Sequence, residues 1–331
     1  MTFDEIKELI AQPLSQVQSL CTKEMVVDHG NLAGQVCGHA SGQSGKQLRP
    51  LLVLLSASAC QACNDQAVTL AAAMELLHTA TLIHDDVVDE SDLRRGAPTV
   101  NRKWSNKVAV LAGDYYLAHV MHLLHRADNR EAAVIVNQAV DAMCLGELRQ
   151  QEVCLYPTLS REAYEDIIGK KTASLIEACC LLGSLDGDDM QREALRRYGR
   201  LFGMAFQICD DINDLFPDCQ SGKPCGNDIK ERKLTLPLIC YFEQHPDEFE
   251  AWKHAEAGEA ENEAGEAESE ALRQAVACSN AVDLAQAEME RYIDQAVEAL
   301  SPLQSNEYTQ ALKNLPLLLA IRKNCGTRDT K

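Results

Sequence analysis

The sequence predicts an all-α protein, a single helical bundle over residues 1–331, and three observations carry that expectation. Apolar residues recur at helical spacing through most of the chain. Alternation of apolar and polar residues over strand length is convincing nowhere. Nothing repeats at a fixed period, and no Pro/Ser-rich linker divides the chain.

In chain order, the opening MTFDEIKELIAQ is amphipathic and acidic, with neither the charged nor the apolar region of a secretory signal. Residues 45–50 lead from a glycine-containing loop into a helix start. From Gln66 to Asp89 the residues Val68, Leu70, Ala73, Met74, Leu77 and Leu82 leave little polar interruption, and a helix that apolar belongs inside a bundle. Further helices are expected over Lys107–His125, Arg130–Val153, Arg161–Leu182, Gln191–Leu215, Thr235–Phe242 and Val282–Leu300. Leu215–Lys233, with two prolines and two glycines, reads as a loop. Ala255–Ala271 is almost entirely Glu, Ala and Gly, and reads as an acidic surface loop or a frayed helix.

Composition narrows the function. A 46% hydrophobic content supports a sizeable core. The net charge of −19 argues against a nucleic-acid partner. It leaves anionic substrates open, because divalent cations invert the local charge of an acidic site. No run of about 18 apolar residues marks a membrane span or anchor. The 14 cysteines follow no framework. Cys60-x-x-Cys63 lacks the second pair or histidine set of a zinc site, and Cys179-Cys180 sit in an apolar stretch as small hydrophobes. Such usage fits reduced thiols and a cytoplasmic location.

The chemistry gathers at two acidic clusters. D-D-x-x-D occurs as Asp85-Asp86-x-x-Asp89 and again as Asp210-Asp211-x-x-Asp214. On a helix, residues three and four apart share a face. Both clusters lie in apolar sequence, where uncompensated carboxylates are costly. Mg²⁺ is the natural counter-charge, since it binds through one or two carboxylates plus substrate phosphates. Two such clusters could face each other across a bundle cavity. Cationic residues for a diphosphate stand at Lys46 and Arg49, at Arg94 and Arg95, at Lys170 and Lys171, and at Lys223 and Lys233.

Together, Gly45-Lys46-x-x-Arg49-Pro50, His78 seven residues before Asp85, the first aspartate motif followed by Arg94-Arg95-Gly96, Gly146-Glu147 with Gln150, Lys171-Thr172, Phe206-Gln207 before the second motif, Gly222-Lys223-Pro224 and Asp228 to Pro237 resemble the trans-polyprenyl diphosphate synthases. The resemblance implies a single isoprenoid-synthase-type domain with a central substrate cavity. It implies that Asp85, Asp86, Asp89, Asp210, Asp211 and Asp214 hold magnesium ions, three per site, on an allylic diphosphate. Arg94, Lys171, Thr172, Gln207, Lys223 and Lys233 would contact that diphosphate, farnesyl or geranylgeranyl. Lys46, Arg49, His78 and Arg95 would bind isopentenyl diphosphate. A homodimer with transient membrane contact is implied as well. Arg232 departs from the family pattern, which usually has glycine before the lysine.

Small residues beneath Asp85, namely Ala80 and Thr81 with Leu77, resemble the long-chain branch and imply a long product, such as a quinone side-chain precursor. Four residues span about 6 Å along a helix, so a bulky residue there would close a tunnel early. A short-chain synthase, a terpene cyclase and a non-catalytic partner subunit remain as alternatives.

Overall fold

The computed structural model describes residues 1–25, 30–42, 45–216, 225–254 and 263–321, and these are helical almost throughout. The chain folds as two compact units. The first comprises Met1–Asn137, Ala178–Arg196 and Leu300–Leu315; the second comprises Gln138–Glu177, Arg197–Ala299 and Pro316–Lys331.

The chain opens with α1 (Phe3–Glu8) and α2 (Ala11–Glu24). A reciprocal cap starts α1: the Glu5 amide donates to the Thr2 hydroxyl, and the Thr2 amide donates to the Glu5 carboxylate. Then come α3 (Leu32–Ser41), α4 (Leu48–Ala59) and α5 (Asp65–Val88). Every residue of α4 is buried except Arg49, which leaves one guanidinium as the single charge on a helix otherwise apolar but for Ser56 and Ser58. The Asn64 side chain caps α5 by accepting from the Ala67 amide.

A two-stranded hairpin follows α5: β1 (Leu93–Arg94) pairs antiparallel with β2 (Ala97–Pro98). Its turn residues Arg95 and Gly96 have φ of 53° and 78°, the pair of left-handed positions that a tight hairpin turn demands. Glycine takes its place without cost, while Arg95 is held there against its preference. Next are α6 (Val100–Lys103) and α7 (Asn106–Ala127), and α5 packs against α2, α4 and α7. Leu51, Leu52, Leu54, Leu55, Leu70 and Met74 form the fully buried centre of this unit.

By length and hydropathy α5 is also the single helix among the described residues able to cross a membrane, yet 61% of that window is buried within the protein. A core helix passes the same test.

The chain continues with α8 (Arg130–Leu155), α9 (Arg161–Ile168), a π-helical turn (Gly169–Ala173), α10 (Ser174–Gly183) and α11 (Asp189–Asp214). The helix expected over Arg161–Leu182 is therefore present, but widened in its middle. After it come α12 (Asn227–Lys230), α13 (Leu236–Phe242), α14 (Pro246–His254), α15 (Glu263–Cys278), α16 (Ala281–Ala299) and α17 (Glu307–Ile321). Phe202, Ile208, Ile212, Phe242, Met289 and Ile293 are buried within the second unit.

Two expectations change. The acidic stretch, read as a surface loop or a frayed helix to Ala271, is helical from Glu263, where α15 begins; residues 255–262 lie outside the described residues. Glutamate and alanine are strong helix formers, and α15 has tertiary anchors: Val276 is buried and Arg273 donates to the Leu215 carbonyl. Within the expected loop Leu215–Lys233, residues 227–230 form α12, and residues 217–224, Lys223 among them, lie outside the described residues. Every cysteine among the described residues is a free thiol.

Candidate active site

In the first unit the last turns of α5 carry Asp85, Asp86 and Asp89. Asp85 and Asp89 are half-buried, whereas Asp86 is 4% exposed. Burial raises the Asp86 carboxyl above its usual range, and the Arg94 guanidinium opposes that shift. Arg94 donates from both Nε and Nη2 to Asp86 Oδ1, each at 2.8 Å. The hairpin is thus tied to the helix end it follows. Further bonds fix the same junction: the Ser91 amide donates to the Asp86 carbonyl at 2.9 Å, and Asn101 Nδ2 donates to the same oxygen at 3.1 Å.

Two turns before Asp85, His78 is surrounded by cations. Withdrawal from water lowers its imidazole well below the usual value, and Arg49, Arg95 and Arg94 push the same way. His78 is therefore neutral, with one nitrogen to donate and one to accept. A Cβ on Gly45 would lie 2.3 Å from Arg95 Nη2, so the guanidinium lies close against the segment before α4 and a side chain there would displace it. Lys46, Arg49, His78 and Arg95 all fall in the first unit, with Arg49 and Arg95 acting on His78. Leu77 and Ala80 are buried on α5, and the half-buried Thr81 donates its hydroxyl to the His78 carbonyl at 2.9 Å.

In the second unit a pocket of about 70 Å³ is lined by Lys171, Thr172, Gln207, Asp211, Asp228 and Lys233, with Tyr164 and Gln150 behind them. Gln207 is fixed by the Thr172 hydroxyl, which donates to its Oε1 at 2.6 Å. Its amide then donates to Asp211 Oδ1 at 2.7 Å, while the Tyr164 hydroxyl donates to Oδ2 at 2.6 Å. Burial pushes Asp211 up to about 7; Tyr164 and Gln207 pull it down, and Asp210 and Asp214 push it further up. Asp228 is driven well above the carboxylate range by burial and by Asp211 and Asp214, with Lys233 opposing. Acids crowded in this way lack positive charge. That shortage is the fit test for a divalent cation, and the set passes it with hard oxygen donors.

Asp210 is exposed at the pocket's helix, whereas Asp214 accepts the Asn227 and Asp228 amides at 3.3 and 3.1 Å. Among the described residues no three such side chains form a ready-made metal cage. Magnesium sites completed by substrate phosphates need none.

Lys171 lies in the π turn and pairs with Glu147 on α8. Burial acts to raise Glu147, but the Lys171 ammonium together with Gln151 and Lys233 holds the carboxyl below its usual value. Lys233 pairs with Glu231. Arg232 has φ of 57°, which explains why glycine suits this position. Its guanidinium stacks 4.4 Å from the Trp252 ring centre and donates to the Trp252 carbonyl at 2.8 Å. Arg232→Gly should shift unfolding free energy by no more than about 1 kcal/mol, as relief of left-handed strain offsets the lost cation–π contact. Amide exchange over residues 228–235 should quicken, and an unchanged exchange rate would rule out the clamp.

The sequence alone pointed to no role for Tyr164, Asp228, Glu147 or Glu75. Glu147 and Asp228 stood inside recognisable motifs, and Glu75 lies three residues before His78 on the same helix face. Tyr164 gave no signal, because its partner Asp211 is remote in sequence. Tyr164→Phe should cost about 1.5–3 kcal/mol, the range for a hydrogen bond to a charged acceptor, read by urea unfolding. A cost below 0.5 kcal/mol, taken as roughly the scatter of such measurements, would mean Asp211 finds another donor.

A family model described as polyprenyl synthetase matches residues 31–275. The all-trans-nonaprenyl-diphosphate synthase (geranyl-diphosphate specific) of Rhodobacter capsulatus is 38% identical over 87% of this chain and 88% of its own length. The octaprenyl diphosphate synthase of Haemophilus influenzae is 32% identical over 96% of each chain. Among solved structures, the polyprenyl synthase of Caulobacter crescentus CB15, complexed with calcium and isoprenyl diphosphate, superposes with a TM-score of 0.89 at 34% identity, covering 96% of this chain and 97% of that one. The motif aspartates, the basic residues beside them and the all-α fold therefore have one common account: the chain belongs to the polyprenyl synthetase family.

Proposed function

We propose that this prenyl diphosphate synthase extends a farnesyl or geranylgeranyl diphosphate primer by successive head-to-tail additions of isopentenyl diphosphate, using Mg²⁺ and giving a long-chain polyprenyl diphosphate for a quinone side chain. The observation that supports this reading is the second unit's pocket, where Lys171, Thr172, Gln207 and Lys233 line the same space as the buried carboxyl of Asp211. Bound Mg²⁺ would supply Lewis-acid stabilisation of the departing diphosphate, held by Asp85, Asp86, Asp89, Asp210, Asp211 and Asp214.

The chain's own residues do the rest. Lys171, Thr172, Gln207, Lys223 and Lys233 bind and orient the allylic diphosphate, joined by Arg94 once it exchanges Asp86 for a phosphate. Lys46, Arg49, His78 and Arg95 hold isopentenyl diphosphate so that its double bond attacks the allylic carbon as the carbon–oxygen bond breaks. The proton lost from the new chain leaves with the diphosphate, so no protein base is assigned. The buried walls of α4 and α5 exclude water from the cation.

The whole chain acts as one catalytic domain, cytoplasmic and homodimeric. The exposed Val110, Leu111 and Met121 of α7 offer an apolar face for a second copy. The apolar product implies transient contact with a membrane surface. Labelled isopentenyl diphosphate, farnesyl diphosphate and Mg²⁺ should yield long prenyl alcohols after dephosphorylation, sized by reversed-phase chromatography. No elongation from any allylic primer would overturn the reading. Ala80→Phe should shorten the product, and an unchanged length distribution would remove Ala80, Thr81 and Leu77 from the ruler.

A further inference from the structure

We infer that Lys7 is a further substrate-binding residue, contacting the diphosphate of isopentenyl diphosphate beside Lys46; this rests on the assignment of the His78 pocket made above. Lys7 sits half-buried on α1, with its ammonium 5.1 Å from the centre of the Phe3 ring. Lys46 Nζ lies 6.0 Å from the same centre. Two ammoniums thus share one ring, on the order of a Debye length apart or closer, where like charges repel.

Among the described residues neither lysine forms an ion pair, in a chain with 50 acidic residues against 31 basic ones. The acid nearest in effect is Glu75. Burial raises its carboxyl, and Arg49, Arg95 and Lys7 all pull it back, so the three cations surround one group. Glu75 Oε2 is itself buried without a hydrogen-bond partner.

Three cations, Lys7, Arg49 and Arg95, therefore act on a single carboxylate, and Lys46 joins them through the Phe3 ring that it shares with Lys7. The cations outnumber the carboxylate, which suits an anionic diphosphate. A metal-free anion site of this kind suits the substrate whose diphosphate is retained in the product, since no leaving group has to be stabilised there. The cap on α1 sets the register of Lys7, so a segment that looks like ordinary amphipathic surface supplies part of the pocket. Phe3 adds to the same effect: its ring face attracts both ammoniums and keeps them close while the site is empty.

The test is calorimetric binding of isopentenyl diphosphate alone, without turnover, to the full chain and to Lys7→Gln, Lys7→Arg and Arg49→Gln. Lys7→Gln should weaken binding about tenfold to a hundredfold, the span of one hydrogen bond to a charged group. Lys7→Arg should restore most of it, and farnesyl diphosphate binding with Mg²⁺ should stay unchanged. If Arg49→Gln weakens binding and Lys7→Gln does not, Lys7 is no ligand although the pocket stands. If both leave binding intact, the pocket assignment falls and Lys7 with it. A loss in Lys7→Gln that comes with a lower Tm, affects both substrates and is not restored by arginine would make Lys7 a structural residue and overturn the inference.

Discussion

Asp85→Ala is expected to lower kcat for elongation at least about 100-fold, the loss typical of removing one preorganised electrostatic stabiliser. Chelation of the divalent metal should reproduce that loss in the unmodified protein. The prediction separates Asp85 from its neighbour. Asp86 is committed to Arg94 and to the hairpin, so its replacement strands a partly buried guanidinium and must also cost stability. Asp85, half-buried on the last turn of α5, should lose activity while Tm stays within a degree or two, a shift equivalent to about 1 kcal/mol. Steady-state rates with a melting curve on each variant decide the matter. An Asp85→Ala protein retaining more than a tenth of its rate would remove Asp85 from the metal set.

Gly146→Ala should impair both stability and turnover, because it sits where α8 meets the π turn. An added Cβ would lie 2.7 Å from the Lys171 backbone nitrogen and 2.9 Å from Lys170 Cβ. A backbone atom cannot swing aside as a side-chain tip can, so α8 or the turn must move. Overpacking of this kind costs about 1–3 kcal/mol. The next residue, Glu147, holds Lys171, so the displacement reaches the allylic pocket. The KM for the allylic primer should rise several-fold while that for isopentenyl diphosphate holds. Gly38→Ala is the control: nothing lies within 4 Å of its Cβ position, and helix propensity alone should stabilise α3 by about 0.5–1 kcal/mol. Equal behaviour of the two variants would show that the approach at Gly146 has slack.

Much of this was legible in the sequence because the information was local. The apolar run Gln66–Asp89 gave α5 within a residue at each end, and the paired aspartates announced themselves through spacing. Other features depend on partners remote in the chain. Tyr164 reaches Asp211 across 47 residues, and Arg232 meets Trp252 across 20, so neither contact leaves a periodic trace. The π turn escaped for a different reason: apolar spacing runs through Arg161–Leu182 with no glycine–proline break to flag it. The acidic run left loop and frayed helix open because low complexity hides tertiary anchors; its glutamates and alanines favour helix once Arg273 and Val276 anchor α15.

The π turn at Gly169–Ala173 also sets a rule about chain length. Such a turn holds one residue more than the α-helical turn it replaces, and each residue rotates a helix by about 100°. Deleting any one of the five would let the segment close into a regular helix. Everything downstream would then be rephased, turning Leu175, Ile176 and Cys179 away from the interior they now fill. The compensated alternative, keeping those residues inward, would carry Lys171 off the pocket. Substitution at these positions changes one side chain, but a gap changes the direction of every side chain that follows. Insertions and deletions should therefore be rarer here than amino-acid exchanges, and the count of residues between Ile168 and Ser174 is itself an inherited part of the site.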